Sequence, residues 1–92
     1  MNKPLVLVTW LDAKDGQTGW HSVEEIAKER LATCHSIGWL MYKDDTRTVV
    51  MADYSEFDGD KEGGRHIAIP TGWVRTITYL KGDYKENENG HG

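Results

Sequence analysis

The chain has 92 residues, 38% of them apolar and 28% charged, the proportions of an ordinary folded domain rather than a fibrous or disordered chain. At that length it makes one small domain that buries only about 60% of its unfolded surface, so its stability margin is thin. Fifteen acidic against 11 basic residues give a net charge of −4, and the scattered Lys and Arg disfavour nonspecific nucleic-acid binding, which depends on a concentrated basic surface.

In chain order, "PLVLVTWLDA" (4–13) is β-rich and apolar on both faces from Leu5 to Val8, which predicts a central strand covered on both sides. "KDGQTG" (14–19) reads as a turn. "SVEE" (22–25) then fits a capping box, with Ser22 accepting from the Glu25 amide and Glu25 reaching back to Ser22. Val23, Ile26, Ala27 and Leu31 recur near helical spacing, which predicts a helix over about 23–31. Two turns of helix are marginal alone, so this one is expected to dock its apolar stripe on a sheet.

"ATCHSIGWLMYK" (32–43) predicts a second strand, with Ile37, Trp39 and Met41 on one face and Leu40 and Tyr42 on the other. Gly38 at its middle marks a sharp bend. "DDTR" (44–47) is a hairpin turn, "TVVMADY" (48–54) a third strand, and "SEFDGDKEGG" (55–64) a longer acidic loop. "RHIAIP" (65–70) and "VRTITYL" (74–80) complete five strands. Between them, Pro70 interrupts pairing and Gly72 bends the chain, which predicts a single helical turn at a sharp corner. "KGDYKENENGHG" (81–92) has no apolar periodicity and reads as a disordered tail. The expected architecture is a single mainly β domain over 1–80 with one short helix: a small five-stranded SH3-like or Sm-like barrel.

Cys34 is the only cysteine, so no disulfide forms within the chain and nothing suggests an oxidising compartment. "MNKPLVLVTW" lacks the length and cleavage site of a secretory signal, and no apolar run approaches the roughly 18 residues that span a bilayer. The expectation is a cytoplasmic protein without a membrane partner.

The stretches "VTWLDA", "GWHSVEEI", "SIGWLMYK" and "IPTGWVRTI" together resemble a recurring group of small uncharacterised proteins encoded by tailed bacteriophages. The resemblance covers most of residues 5–80 and its motifs are structural. It implies phage accessory proteins acting in the host cytoplasm, which at this size bind a host protein, nucleic acid or a signalling nucleotide.

No motif carries catalysis. The serines and Cys34 lack nucleophile-elbow or cysteine-protease surroundings, and the aspartates cluster at turns, where backbone hydrogen bonding favours them. Cys34 and His35 are adjacent, so on a strand they face opposite ways and make a poor zinc pair. "DGDKEGG" (58–64) starts like a calcium loop, but its twelfth position is Ile69 rather than a bidentate Glu. No enzyme, metal or cofactor is therefore expected.

Trp20, before the helix cap, and Trp73, at the corner, either plug the ends of the barrel or join Tyr54 in a contact surface, since Trp and Tyr dominate interface hot spots. The leading expectation is a noncatalytic binding protein that takes a host protein or a second copy of itself, by self-association or strand addition. The alternatives are a nucleotide or oligonucleotide sponge, with Trp73 stacking on bases and Arg47, Arg65 or Arg75 on phosphates, and a minor virion or assembly component.

Overall fold

Leu5–Asp12 forms strand β1, and its alternation is sharp: Val6, Val8 and Trp10 are buried while Leu5, Leu7, Thr9 and Leu11 look outward. In this computed structural model, which describes residues 1–81, five antiparallel strands make one sheet in the order β4-β3-β2-β1-β5. The other strands are β2 (Ala32–Lys43), β3 (Arg47–Phe57), β4 (Asp60–Pro70) and β5 (Val74–Tyr79). The tail read over 81–92 lies, apart from Lys81, outside the described residues.

The mainly β reading with one short helix holds, but the barrel is not closed. β4 and β5 stand at opposite ends of the strand order and do not pair. The sheet instead curls on itself: Val6, Val8 and Trp10 of β1, Val50 of β3 and Ile69 of β4 form one buried cluster, with Cys34, Leu40, Val74 and Ile77 packed against it. Every strand thus contributes to one small core, and burial of that face is the main force holding the curl.

Two bulges shape the curl. One lies between Leu40 and Tyr42 of β2, so Leu40 packs inward while Tyr42 is exposed; the expectation that they share a face fails because the inserted Met41 resets the alternation. The other lies where β5 leaves β1: Thr9 opposes Thr76 but Trp10 opposes Val74. Arg75 is the extra residue, which lets Val74 and Ile77 both reach the core. Gly38 faces inward opposite Val6. A Cβ there would collide with the Met51 carbonyl oxygen and lie 2.9 Å from Val50 Cγ1. Its role is close strand approach inside one curled sheet, not a crossing between two sheets.

The acidic loop expected over 55–64 is a tight hairpin instead. Pairing continues to Phe57↔Asp60, and the chain reverses at Asp58 and Gly59, whose φ values are 54° and 89°. Positive φ at both central residues suits an Asp-Gly turn, whose twist matches that of the strands it joins. The polar composition concealed long exposed strands.

At the other end of β4 the predicted corner is present. Thr71–Trp73 is a single 3₁₀ turn, and Thr71 ties it down three ways. Its N–H donates to the Thr46 carbonyl at 3.0 Å, its hydroxyl donates to the Asp44 carbonyl at 2.8 Å, and Thr48 Oγ1 lies 2.9 Å from Thr71 Oγ1. The Thr71 hydrogen is committed to a carbonyl that only accepts, so Thr48 must be the donor in the last bond.

The helix departs most from expectation. Helix α1 covers only Val23–Ala27 and buries none of its residues. The capping box is present, with Glu25 N donating to Ser22 Oγ at 3.1 Å and Ser22 N to Glu25 Oε1 at 3.4 Å. The expected docking on the sheet is absent: Val23 is 78%, Ile26 56% and Leu31 58% exposed. Among the described residues, the outer face of β1 therefore lacks the cover that its double-sided apolar pattern predicts.

Candidate functional site

Of the residues singled out from the sequence, Trp20, Trp73, Arg75 and Tyr54 fall in three places. Trp20 lies in the β1–β2 connection and is 101% exposed, so it plugs nothing, which corrects that reading for this ring. A half-open hollow of about 660 Å³ separates the strand-proximal part of this connection from α1, lined by residues that include Lys14, His21, Glu25 and Glu29. Lys14 Nζ and Glu29 Oε1 approach to 3.7 Å, and the His21 ring Nε2 donates to the Gln17 carbonyl at 3.2 Å. Residues 13–31 thus form an arm with local order of its own and almost no apolar anchorage.

Trp73 and Arg75 sit together at the corner. The Trp73 ring stacks on Trp10 with centroids 6.4 Å apart and planes 16° apart. Trp10 is buried and its Nε1 donates to Ser36 Oγ at 3.0 Å, so one indole is a satisfied core residue and the other covers it. Trp73 remains 42% exposed: a lid on the core with one free face. The bulged Arg75 points outward and donates to the carbonyls of Gly72 and Val74, both at 3.3 Å. The other two arginines considered as phosphate contacts are engaged. Arg47 lies over the Tyr42 ring at 4.1 Å and pairs with Asp44, and Arg65 Nε bonds Asp53 Oδ2 at 2.7 Å.

Tyr54 sits elsewhere, at the base of the β3–β4 hairpin. Its ring meets Trp39 edge-on, with centroids 6.2 Å apart. It lines an open groove of about 400 Å³ with Met1, Met41, Met51 and Glu62. Gly63 floors this groove; a Cβ there would run into the Met51 sulfur. The Tyr54 phenol is held above its ordinary pKa, first by partial removal from water and then by the neighbouring Glu56 carboxylate. The structure therefore does not unite Tyr54 with Trp73 in one aromatic cluster.

In the β2–β3 turn, Asp44 Oδ1 accepts from the N–H groups of Thr46 and Arg47, both at 2.8 Å, and Oδ2 accepts from the Tyr42 phenol at 2.9 Å. These bonds hold the Asp44 carboxyl below its usual pKa, the Arg47 amide contributing most. The same carboxylate holds the Tyr42 phenol above its own. Both are properties of a well-made turn. Cys34 and His35 do face opposite ways: Cys34 packs on the core, and His35 Nδ1 lies 3.1 Å from Thr9 Oγ1 on the outer face. No helix among the described residues is long and apolar enough to cross a membrane.

The two sheet edges differ in character. Along β4 the free edge is broken up by Gly63, Gly64, Pro70 and Arg65, whose φ of 47° is rare for a residue with a side chain. Along β5 the edge is a short β-branched run. Leu80 N donates to the Leu5 carbonyl at 2.9 Å; with the register Val6↔Tyr79, Leu7↔Thr78, Val8↔Ile77, antiparallel alternation turns the backbone of Ile77 and Tyr79 away from β1. Sequence reading missed this edge and the methionine groove. Gly63 was a signal for the groove, because a glycine inside a strand often marks close approach of another group. Comparisons with family models, curated proteins and solved structures found no match to the chain.

Proposed function

We propose that the chain is a noncatalytic accessory binding protein of the phage type, acting in the host cytoplasm, that takes up an extended segment of a host protein along β5. The supporting observation is the β5 edge itself, where Ile77 and Tyr79 present outward N–H and C=O groups in a stretch whose only charge is Arg75. Such an edge is a template for an added strand, and natural proteins normally guard one with charge, proline or bulges. β4 carries those guards. β5, apart from its bulge at Arg75, does not. Trp73, half exposed beside the start of β5, offers an aromatic contact to the end of the incoming strand. The scaffold is read as an opened small barrel of the SH3-like or Sm-like type, on the strength of its strand order and the 3₁₀ corner before the last strand.

The test uses Tyr79→Pro, which removes an outward N–H but no bond to β1, with Tyr79→Ala as control. A host protein captured by the wild type and by Tyr79→Ala is expected to be lost with Tyr79→Pro, and its binding to slow hydrogen exchange at the Ile77 and Tyr79 amides. Capture insensitive to Tyr79→Pro, unchanged exchange at those amides, or no capture at all refutes the proposal.

A further inference from the structure

Two apolar surfaces of this chain have no partner among the described residues, and they match. One is the arm over residues 13–31, where Trp20, Val23, Ile26 and Leu31 are 101%, 78%, 56% and 58% exposed. The other is the outer face of the β1–β2 ladder, where Leu5 opposes Trp39, Leu7 opposes Ile37 and Leu11 opposes Thr33. Ile37 is 60% and Leu5 40% exposed there. The hydrogen-bonded Thr9–His35 pair interrupts this face between Leu7 and Leu11, but a monomer rarely leaves so many large apolar side chains open to water.

The arm stands off its own sheet. It leaves β1 at Asp12 and returns at Ala32, which are register partners at the end of the ladder, yet no residue of α1 is buried and Trp20 is fully exposed. Ile37 lies five residues up β2 from Ala32, about 17 Å at strand rise. Ile26, six residues from Ala32 and at most about 20 Å away when fully stretched, reaches it at home only if α1 unwinds. Both surfaces therefore stay open on the subunit that carries them.

We infer that the partner of these surfaces is a second copy of the chain, in a reciprocal dimer in which each arm lies across the outer β1–β2 face of the other subunit. The exchange is isologous, with one pair of surfaces used twice, so the assembly closes at two. Exposed aliphatic and aromatic side chains carry roughly 100–250 Å² each. Weighted by the exposures above, one arm-on-face contact that covers all six side chains removes roughly 600–700 Å², and two remove about 1,300 Å², within the range of a specific interface. Trp20 is the anchor, entering beside Ile37, and the apolar side of α1 follows along Leu7 and Leu11. The surface is separate from the β5 edge, so this inference stands or falls independently of strand addition.

The test is sedimentation and native mass spectrometry of the full chain over a concentration series. The wild type is expected to dimerise. Trp20→Lys combined with Ile26→Lys, on the arm, and Ile37→Lys, on the face, are each expected to raise the dimer dissociation constant at least tenfold. All three positions are exposed, so unchanged circular dichroism and melting are expected to show intact folding. The decisive measurement mixes the two variants, because one sound arm and one sound face then remain and a heterodimer forms although neither variant pairs with itself. Tyr79→Pro leaves the wild-type dimer unaffected. A wild type that stays monomeric throughout, variants that dimerise as the wild type does, or a mixture that yields no heterodimer overturns the inference.

Discussion

The Thr48–Thr71–Asp44 relay makes a demanding prediction, because its direction is set by chemistry. Thr71 donates to the Asp44 carbonyl, so Thr48, which is fully buried, must donate to Thr71. Thr71→Val keeps the shape and removes both bonds. It also leaves the buried Thr48 hydroxyl without an acceptor. With about 1 kcal/mol for each net bond and a desolvation penalty for the stranded hydroxyl, the cost is about 2–3 kcal/mol. In a domain of this size that lowers Tm by roughly 10–20 °C. Thr48→Val removes only the donor end, leaves Thr71 bonded to Asp44, and costs at most about 1 kcal/mol. The double variant removes the stranded hydroxyl as well and is expected to be more stable than Thr71→Val by about 1 kcal/mol. Urea unfolding of the four proteins, compared at common slope, measures this. Strictly additive costs, or a Thr71→Val within about 0.5 kcal/mol of wild type, refute the relay and with it the account of how the corner is held.

The other predictions concern glycines and the turn carboxylate. Gly38→Ala is expected to lower stability by about 1–3 kcal/mol in denaturant unfolding, because its Cβ meets the Met51 backbone, which has nowhere to move. Gly16→Ala, with nothing within 4 Å, is the silent control. Gly59→Ala, forced to a φ of 89°, is expected to cost about 1 kcal/mol or more and to slow formation of the β3–β4 hairpin in stopped-flow refolding. Because folding lowers the Asp44 pKa, the advantage of wild type over Asp44→Asn is expected in full above the ordinary value of about 3.9, and to fade as pH falls through the lowered folded value. Thermal melts of both proteins from neutral to strongly acidic pH show it; a constant difference contradicts the assignment.

Local signals read correctly from the chain share one property: their partners lie within a few residues. The capping box at Ser22 and Glu25 needs only the helix start, and β2 over Ala32–Lys43 follows from a β-rich run whose alternation holds as far as its bulge at Met41. The corner at Pro70–Trp73 follows from a missing N–H and a bend. The hairpin at Asp58–Gly59 was legible by the same logic, but the surrounding acidic residues and glycines read as a loop. Of the candidate contact residues, Trp73 was placed at the corner, but sequence alone did not show that its stacking partner is Trp10, whose ring comes from the far end of the chain.

The amino-acid order determined the strands, the helix cap and the corner, because those depend on backbone sterics and hydrogen bonds between near neighbours. Tertiary structure decided the rest: the two bulges that throw Arg75 outward and turn Tyr42 away from Leu40, the failure of β4 and β5 to pair, and the bare outer face of β1. Each of these depends on the register and spacing of segments far apart in sequence. An apolar stripe at helical spacing shows that α1 needs a surface to cover. Only the tertiary structure shows that stripe standing off its own sheet, with no residue of α1 buried, because docking depends on how the arm leaves Asp12 and returns at Ala32 and not on the stripe itself.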